Sequence, residues 1–349
     1  MYEKVENKRY FSNKVSFLNA FATILIVCLH SSSPERFGFP LSIRSFTPIY
    51  IISCLCQAAV PMFFFLSAML FYKGCDYSTI KRKLLSRVKS LVVPYILWNT
   101  ILVGIYYILS HSPGISSTLN NEYNLNSVRA FISAVLYSRC SDLWFVKNLI
   151  IYSLLSPILL ITLKNKWASL CVLIFSLLLK FCYPVGYESV YKWFTIYYFG
   201  AIWGHWYQVQ GYSPLELGKK SIRIILATIC LIGILFILVA SFFSSTAMEL
   251  FRVVSPILIW TIIDIVGYKY IANIFRQRTW MKFTFVIYCC HHLVINILQK
   301  LVVISLPSTP QVVYLTYLLS PMVTISIIVA VARVLSRFPL FKPLSGWRS

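Results

Sequence analysis

The chain has 349 residues, 58% of them hydrophobic and 12% charged, against about 45–50% apolar and about 25% charged in an average soluble domain. With a mean hydropathy of +0.74, this excludes a disordered chain, a collagen and a disulfide-rich secreted scaffold, and points to a protein solvated by lipid over most of its length. The 32 Lys and Arg against 10 Asp and Glu give a formal charge of +22, which in a soluble protein suggests nucleic acid but here follows from the crowding of Lys and Arg into cytoplasmic loops.

A membrane helix needs about 20 mainly apolar residues, and charge-poor runs predict ten. In chain order they cover 15–33, 46–72, 90–110, 143–163, 167–183, 193–209, 222–243, 250–266, 284–305 and 312–333. The first, from Val15, lacks a small-x-small cleavage site and is read as a span that stays. The longest outer segment runs about 111–142, and Ser, Asn, Pro and Gly in 110–127 mark an irregular loop. Lys147 interrupts the fourth run, Lys180 the fifth, and only Lys164-Asn165-Lys166 separates the two. Pro307 and Pro310 split the last long apolar stretch into two spans.

Charge then orients the chain. With the N-terminus inside, the inner segments carry 23 Lys and Arg and the outer ones six, while Lys147, Lys180 and Lys300 lie within or at the edge of spans. The expectation is an all-α, polytopic membrane helix bundle of about ten transmembrane helices, one domain over 1–349, with both termini cytoplasmic. The paired Gly/Pro-broken spans of an inverted-repeat transporter are not visible. The ten cysteines lie mostly in apolar runs without a CxxC pair, so they read as small buried hydrophobes and no metal site is expected.

Ionisable groups inside a membrane are expensive and mark candidate sites. His30 ends the first span, and a neutral imidazole there suits general-base work as well as an interfacial hydrogen bond. His291 and His292 sit well inside the ninth span. Neighbours on a helix point about 100° apart, so at most one of them is expected to face a given cavity. Asp264, near the inner end of the eighth span, reads as a carboxylate reaching headgroup water. The run Lys81-Arg82-Lys83 to Arg87-Val88-Lys89 fits the positive-inside rule and anionic lipid, or a cradle for a phosphate-rich cosubstrate. Walker A, G-x-G-x-x-G, H-E-x-x-H and G-x-S-x-G motifs are absent from the sequence, which removes the usual signals of nucleotide, zinc-hydrolase and α/β-hydrolase chemistry.

Five segments in order carry a family likeness. They are Phe17 to His30, Pro61-Met62-Phe63-Phe64-Phe65-Leu66-Ser67-Ala68, Arg87 to Trp98 with its Pro94-Tyr95, Leu143-Trp144-Phe145-Val146, and Phe285 to His291. Together the sequence resembles the acyltransferase 3 family of integral membrane O-acyltransferases, closest to polysaccharide O-acetyltransferase and fucose-acetylase-like members. The resemblance implies a cytoplasmic acyl-CoA cosubstrate, acetyl-CoA foremost, and a hydroxyl acceptor on a glycan or lipid-linked sugar. It further implies no permanently bound cofactor, no nucleic-acid partner, and residence in a bacterial cytoplasmic membrane. It makes His30 the catalytic residue and places Arg87, with Lys83 and Lys89, at the acyl-CoA. Asn19, Ser67, Trp144, Tyr288 and His291 are expected to line the tunnel or active site. The chain departs from the family pattern where Asn19 stands for an arginine, Ser16 for an acidic residue, Ser90 for a basic one, and Asp142 for a histidine.

Two other readings compete: a transporter or flippase for a lipid-linked sugar, and an idle scaffold in glycan assembly. The enzyme reading makes a definite structural demand. His30 lies 16 residues beyond Lys14, about 24 Å along a helix at 1.5 Å per residue. A polar tunnel must therefore join the basic inner end to the imidazole.

Overall fold

The structure is a computed structural model and describes residues 2–40, 46–110, 127–138, 142–183, 185–206, 220–274 and 279–346. Helix makes up 85%, with no strand among the described residues. In chain order the helices are α1 (Tyr2–Ser31), α2 (Thr47–Cys56), α3 (Ala59–Tyr72), α4 (Ile80–Arg87), α5 (Val93–Ser110), α6 (Val128–Tyr137), α7 (Trp144–Leu154) and α8 (Ser156–Leu163). They continue as α9 (Lys166–Cys182), α10 (Val190–Trp206), α11 (Lys220–Ser241), α12 (Ser245–Ile274), α13 (Thr284–Ser305), α14 (Pro310–Leu335) and α15 (Phe341–Leu344). A 3₁₀ turn, Pro34–Phe37, follows α1, and a π-helical segment, Val88–Val92, joins α4 to α5.

Each of the ten predicted runs holds a helix, but they are unequal as membrane crossings. Six segments are long and apolar enough to cross alone: Tyr10–Phe37, Thr47–Tyr72, Ile80–Ile108, Ser245–Asp264, Thr279–Ser305 and Pro310–Leu335. The pair α7 and α8, bent by 62°, makes a seventh if it counts as one span. The bend has a local cause: Pro157 sits in the first turn of α8, where a missing N–H is tolerated but a continuous helix is not. The next break is also encoded. The Asn165 side chain accepts from the backbone N–H groups of Trp167 and Ala168 and starts α9 afresh. Helices α9 and α10 have only 17 residues each, and the described apolar part of α11 is Thr228–Ser241. By length and composition, six of the described segments qualify as membrane crossings, or seven with the bent pair.

The core is built on α3, which is buried along almost its whole length. Helix α10 lies directly against it because Gly200 and Gly204 form a G-x-x-x-G face. A Cβ at Gly200 would stand 2.5 Å from the Phe65 carbonyl oxygen, and one at Gly204 would strike the Met69 backbone. Small residues at this spacing let helix backbones approach where lipid supplies no hydrophobic drive. Aromatic contacts fill the seam: Phe64 stacks on Trp193 at 5.5 Å between centroids, and Phe65 on Phe199 at 6.1 Å. Outward faces are apolar, as at Phe236 and Ile304, 75% and 82% exposed.

Two buried charge clusters lock helices together. Lys14 on α1 is 1% exposed; its ammonium lies 2.5 Å from Asp264 on α12, donates to the Trp260 carbonyl at 2.9 Å and sits over the Trp260 ring. Tyr10 donates to the same carboxylate at 3.0 Å. Asp264 therefore does not reach for headgroup water; it neutralises a lysine. In the second cluster Glu249 on α12 pairs with Lys180 at 2.8 Å, Lys192 at 3.0 Å and Arg252, and Arg252 donates on to Gln57. Lys180, which seemed to interrupt a span, is one of these ion-pair partners.

Candidate active site

A third polar cluster forms where α1 ends beside α13. His30 lies in the last turn of α1, His291 and His292 lie on α13, and Asp142 lies just ahead of α7. Further contacts bind the end of α1 to α13: Gln299 donates to the Ser31 carbonyl at 3.0 Å, and Arg36 of the 3₁₀ turn donates to Asn296. The Tyr288 hydroxyl donates to the Asp142 carbonyl at 2.6 Å and so holds the approach to α7 against α13.

Both adjacent histidines reach His30, contrary to the expectation that only one faces the centre. The His30 ring centroid is 5.0 Å from each of the other two. Their divergence along the helix makes this possible, because His30 inserts between them instead of facing one. Their surroundings differ. His291 is fully buried with Nδ1 2.7 Å from the Tyr288 carbonyl; a carbonyl only accepts, so Nδ1 carries the hydrogen. The His292 side chain is 39% exposed, and its Nδ1 lies 2.6 Å from Oδ2 of Asp142. Burial opposes the charge on Asp142, but the His292 hydrogen bond and the nearby imidazoles of His30 and His291 hold its carboxyl below the usual carboxylate range.

Ligand atoms of His30, Asp142 and His292 fall within 4.8 Å of one another, and two imidazoles with a carboxylate form a transition-metal donor set. The 2.6 Å contact between His292 and Asp142 is shorter than the roughly 3.3 Å that separates two ligand atoms on one tetrahedral zinc with bonds of about 2.0 Å. The two groups stand at ion-pair distance, closer than a shared metal would hold them.

A cavity of about 410 Å³ lies alongside α1 and α13, and none of the four cluster residues is on its wall. Ser16, Asn19 and Thr23 line it from α1, Phe63 and Ser67 from α3, Arg87 from the end of α4, Phe145 from α7, Lys282 from the turn before α13, and Tyr288 from α13. At 100° per residue, Ser16, Asn19, Thr23 and His30 fall on one stripe of α1. Tyr288 is one helical turn below His292. The π-helical segment places Leu91 on the same wall.

The predicted tunnel residues divide clearly. Asn19, Ser67, Tyr288 and Arg87 line the cavity. Trp144 does not: it packs against Trp193 and Tyr187 at 5.9 and 5.4 Å, and its neighbour Phe145 takes the wall. His291 stands beyond the cavity against His30. Arg87 donates to the Ser67 carbonyl at 2.8 Å. Lys83 is turned away, donating to the carbonyls of Phe71 and Lys73 at the end of α3, and Lys89 is exposed on the π-helical segment. Lys282, not singled out in the sequence, is the second cation on the cavity wall. Its signal was present: it closes the basic segment just before the ninth span.

Apolar outer faces and six or seven candidate crossings among the described residues define a multi-pass helical membrane protein, with a cavity between its helices. A family model described as an acyltransferase domain matches residues 14–331, nearly the whole chain. The chain belongs to the acyltransferase 3 family and is a membrane acyltransferase. No curated protein and no solved structure matches it.

Proposed function

We propose that the protein is an O-acetyltransferase of a bacterial cytoplasmic membrane, moving acetyl from acetyl-CoA to a hydroxyl of a surface polysaccharide or its lipid-linked precursor. The observation that carries this reading is the cavity running from Arg87 and Lys282 to Tyr288, with His30 further along the same stripe of α1. Its wall carries both cations and Tyr288, and the step from there to His30 belongs to the proposal. In this reading the chain is one domain of ten spans, with both termini and the Arg87 end on the cytoplasmic side.

Arg87 and Lys282 hold the CoA phosphates, the guanidinium by directed hydrogen bonds and the ammonium as a mobile charge. Ser67 gives the pantetheine arm a hydrogen bond. Phe63 and Phe145 wall the thioester. Tyr288 commits its proton to the Asp142 carbonyl, so it presents oxygen and not hydrogen to the substrate. His30 handles the proton that leaves the acceptor hydroxyl and ends on the sulfur of CoA. Lys83 and Lys89, placed off the cavity wall, serve the local field at the donor mouth.

The test is label transfer from radiolabelled acetyl-CoA to cell-envelope glycan, in membranes holding the intact protein or His30→Ala at equal protein level. Incorporation that vanishes in the variant supports the reading. No incorporation by either protein, across short-chain acyl donors and with native glycan present, overturns it.

A further inference from the structure

The proposed transfer assigns proton handling to His30, yet another imidazole of the cluster, His292, has a carboxylate partner. Its Nδ1 meets the Asp142 carboxylate at 2.6 Å. An ionised carboxylate only accepts, so Nδ1 carries the hydrogen, and in the neutral ring Nε2 holds the lone pair. Asp142 is fixed in turn through its carbonyl by the Tyr288 hydroxyl.

Position separates the two imidazoles. His30 shares its helix stripe with Ser16, Asn19 and Thr23 of the donor cavity. The His292 side chain is 39% exposed and so reaches the protein surface. Two neighbouring groups are engaged elsewhere, although Nε2 of His291 is buried without a hydrogen-bond partner. His291 uses Nδ1 on the Tyr288 carbonyl, and Arg36 is bonded to Asn296.

We propose that His292, held by Asp142, is the catalytic base that takes the acceptor's proton, and that His30 relays it to the leaving sulfur. This rests on the acyl-transfer reading above. As the acceptor O–H bond breaks, its proton goes to Nε2 of His292 and the oxygen bonds to the thioester carbonyl carbon. Collapse of the tetrahedral intermediate breaks the C–S bond, and the electron pair leaves on sulfur. The proton crosses from His292 to the adjacent His30 ring and then to the thiolate. One ester and one thiol result, both imidazoles are neutral again, and no further reactant is consumed. Asp142 acts through His292 and is a positioning residue.

The experiment measures acetyl transfer to native glycan by the intact chain in membranes, with folded protein matched by size-exclusion profile in detergent. His292→Gln is expected to lower kcat about 10²- to 10⁴-fold, with the KM for acetyl-CoA held within about threefold, the span of a lost general base. His292→Gly is expected to regain turnover when imidazole is added to the buffer. Asp142→Asn is expected to lose turnover that Asp142→Glu partly restores. A kcat for His292→Gln within about threefold of the intact protein overturns the proposal. So does a loss that neither imidazole nor Asp142→Glu repairs, since that pattern belongs to a structural role. If the intact protein itself transfers nothing, the acyl-transfer reading fails and takes this one with it; if it transfers and His292→Gln does too, only this one fails.

Discussion

The polar cluster at Lys14 and Asp264 and the one at His30, His291, His292 and Asp142 both sit among membrane helices, and they are built on opposite plans. At the first, one ammonium meets a carboxylate, a carbonyl and an aromatic face, and the carboxylate also takes a tyrosine hydroxyl. The lysine charge is neutralised within the fold, and neither Lys14 nor Asp264 lines the cavity. At the second, three imidazoles share one carboxylate, two of them are anchored through Nδ1, and ring nitrogens remain for chemistry. Expense alone does not distinguish a structural charge from a functional one inside a membrane. Neutralisation within the fold does.

That contrast gives the largest expected effects. His30→Ala should lower acetyl transfer about 10²- to 10⁴-fold, the range of general acid–base catalysis, while leaving thermal unfolding of the detergent-solubilised protein nearly unchanged. Asp264→Ala should do the reverse. It strands a lysine that is 1% exposed, and removing one partner of a buried pair costs about 3–5 kcal/mol. A large fall in the unfolding temperature is expected, with turnover per folded molecule retained. The double replacement Lys14→Met with Asp264→Leu should recover much of that stability, because apolar side chains of similar volume replace buried pairs well. If Asp264→Ala lost turnover at full stability, the division between the two clusters would collapse.

How far the sequence showed this follows from what kind of signal each feature leaves. Ten apolar runs were legible as helices because hydropathy is local. Their status as crossings was less so, because Pro157 and Asn165 cut the α7–α9 stretch into short pieces through capping and turn chemistry that an average over twenty residues hides. Asn19, Ser67, Arg87 and Tyr288 were legible through the family resemblance and line the cavity, whereas His30 is not on its wall. Trp144 was misplaced by one residue, which on a helix is a rotation of about 100°. Asp142 was visible only as a departure from the family pattern. Its partner His292 is 150 positions away in sequence, and no local pattern connects the two. The same holds for Lys14 and Asp264.

The remaining comparison lies within the donor cavity, between two cations of different build. Arg87 is half-buried, lies over the Phe71 ring and is aimed by its bond to the Ser67 carbonyl. A hydrogen bond to a charged group contributes about 1.5–3 kcal/mol. Arg87→Ala should therefore raise the KM for acetyl-CoA about 10- to 100-fold, and Arg87→Lys should fall between, since an ammonium lacks the planar fork.

Lys282 is exposed at the rim of the same cavity, where water and salt weaken any pairing. Exposed ion pairs are worth about 0.2–1 kcal/mol, so Lys282→Ala should raise KM no more than about fivefold. Ionic strength separates the two residues more sharply than size of effect. At about 1 M salt the screening length falls to about 3 Å, and the Lys282→Ala penalty should disappear because the intact protein has already lost that attraction. The Arg87→Ala penalty should persist, because its hydrogen bonds are short-ranged and sheltered from solvent. KM measured at low and high salt for both variants decides the point. Equal salt sensitivity would mean that both cations act only through the general field at the mouth, and that Arg87 does not touch the donor.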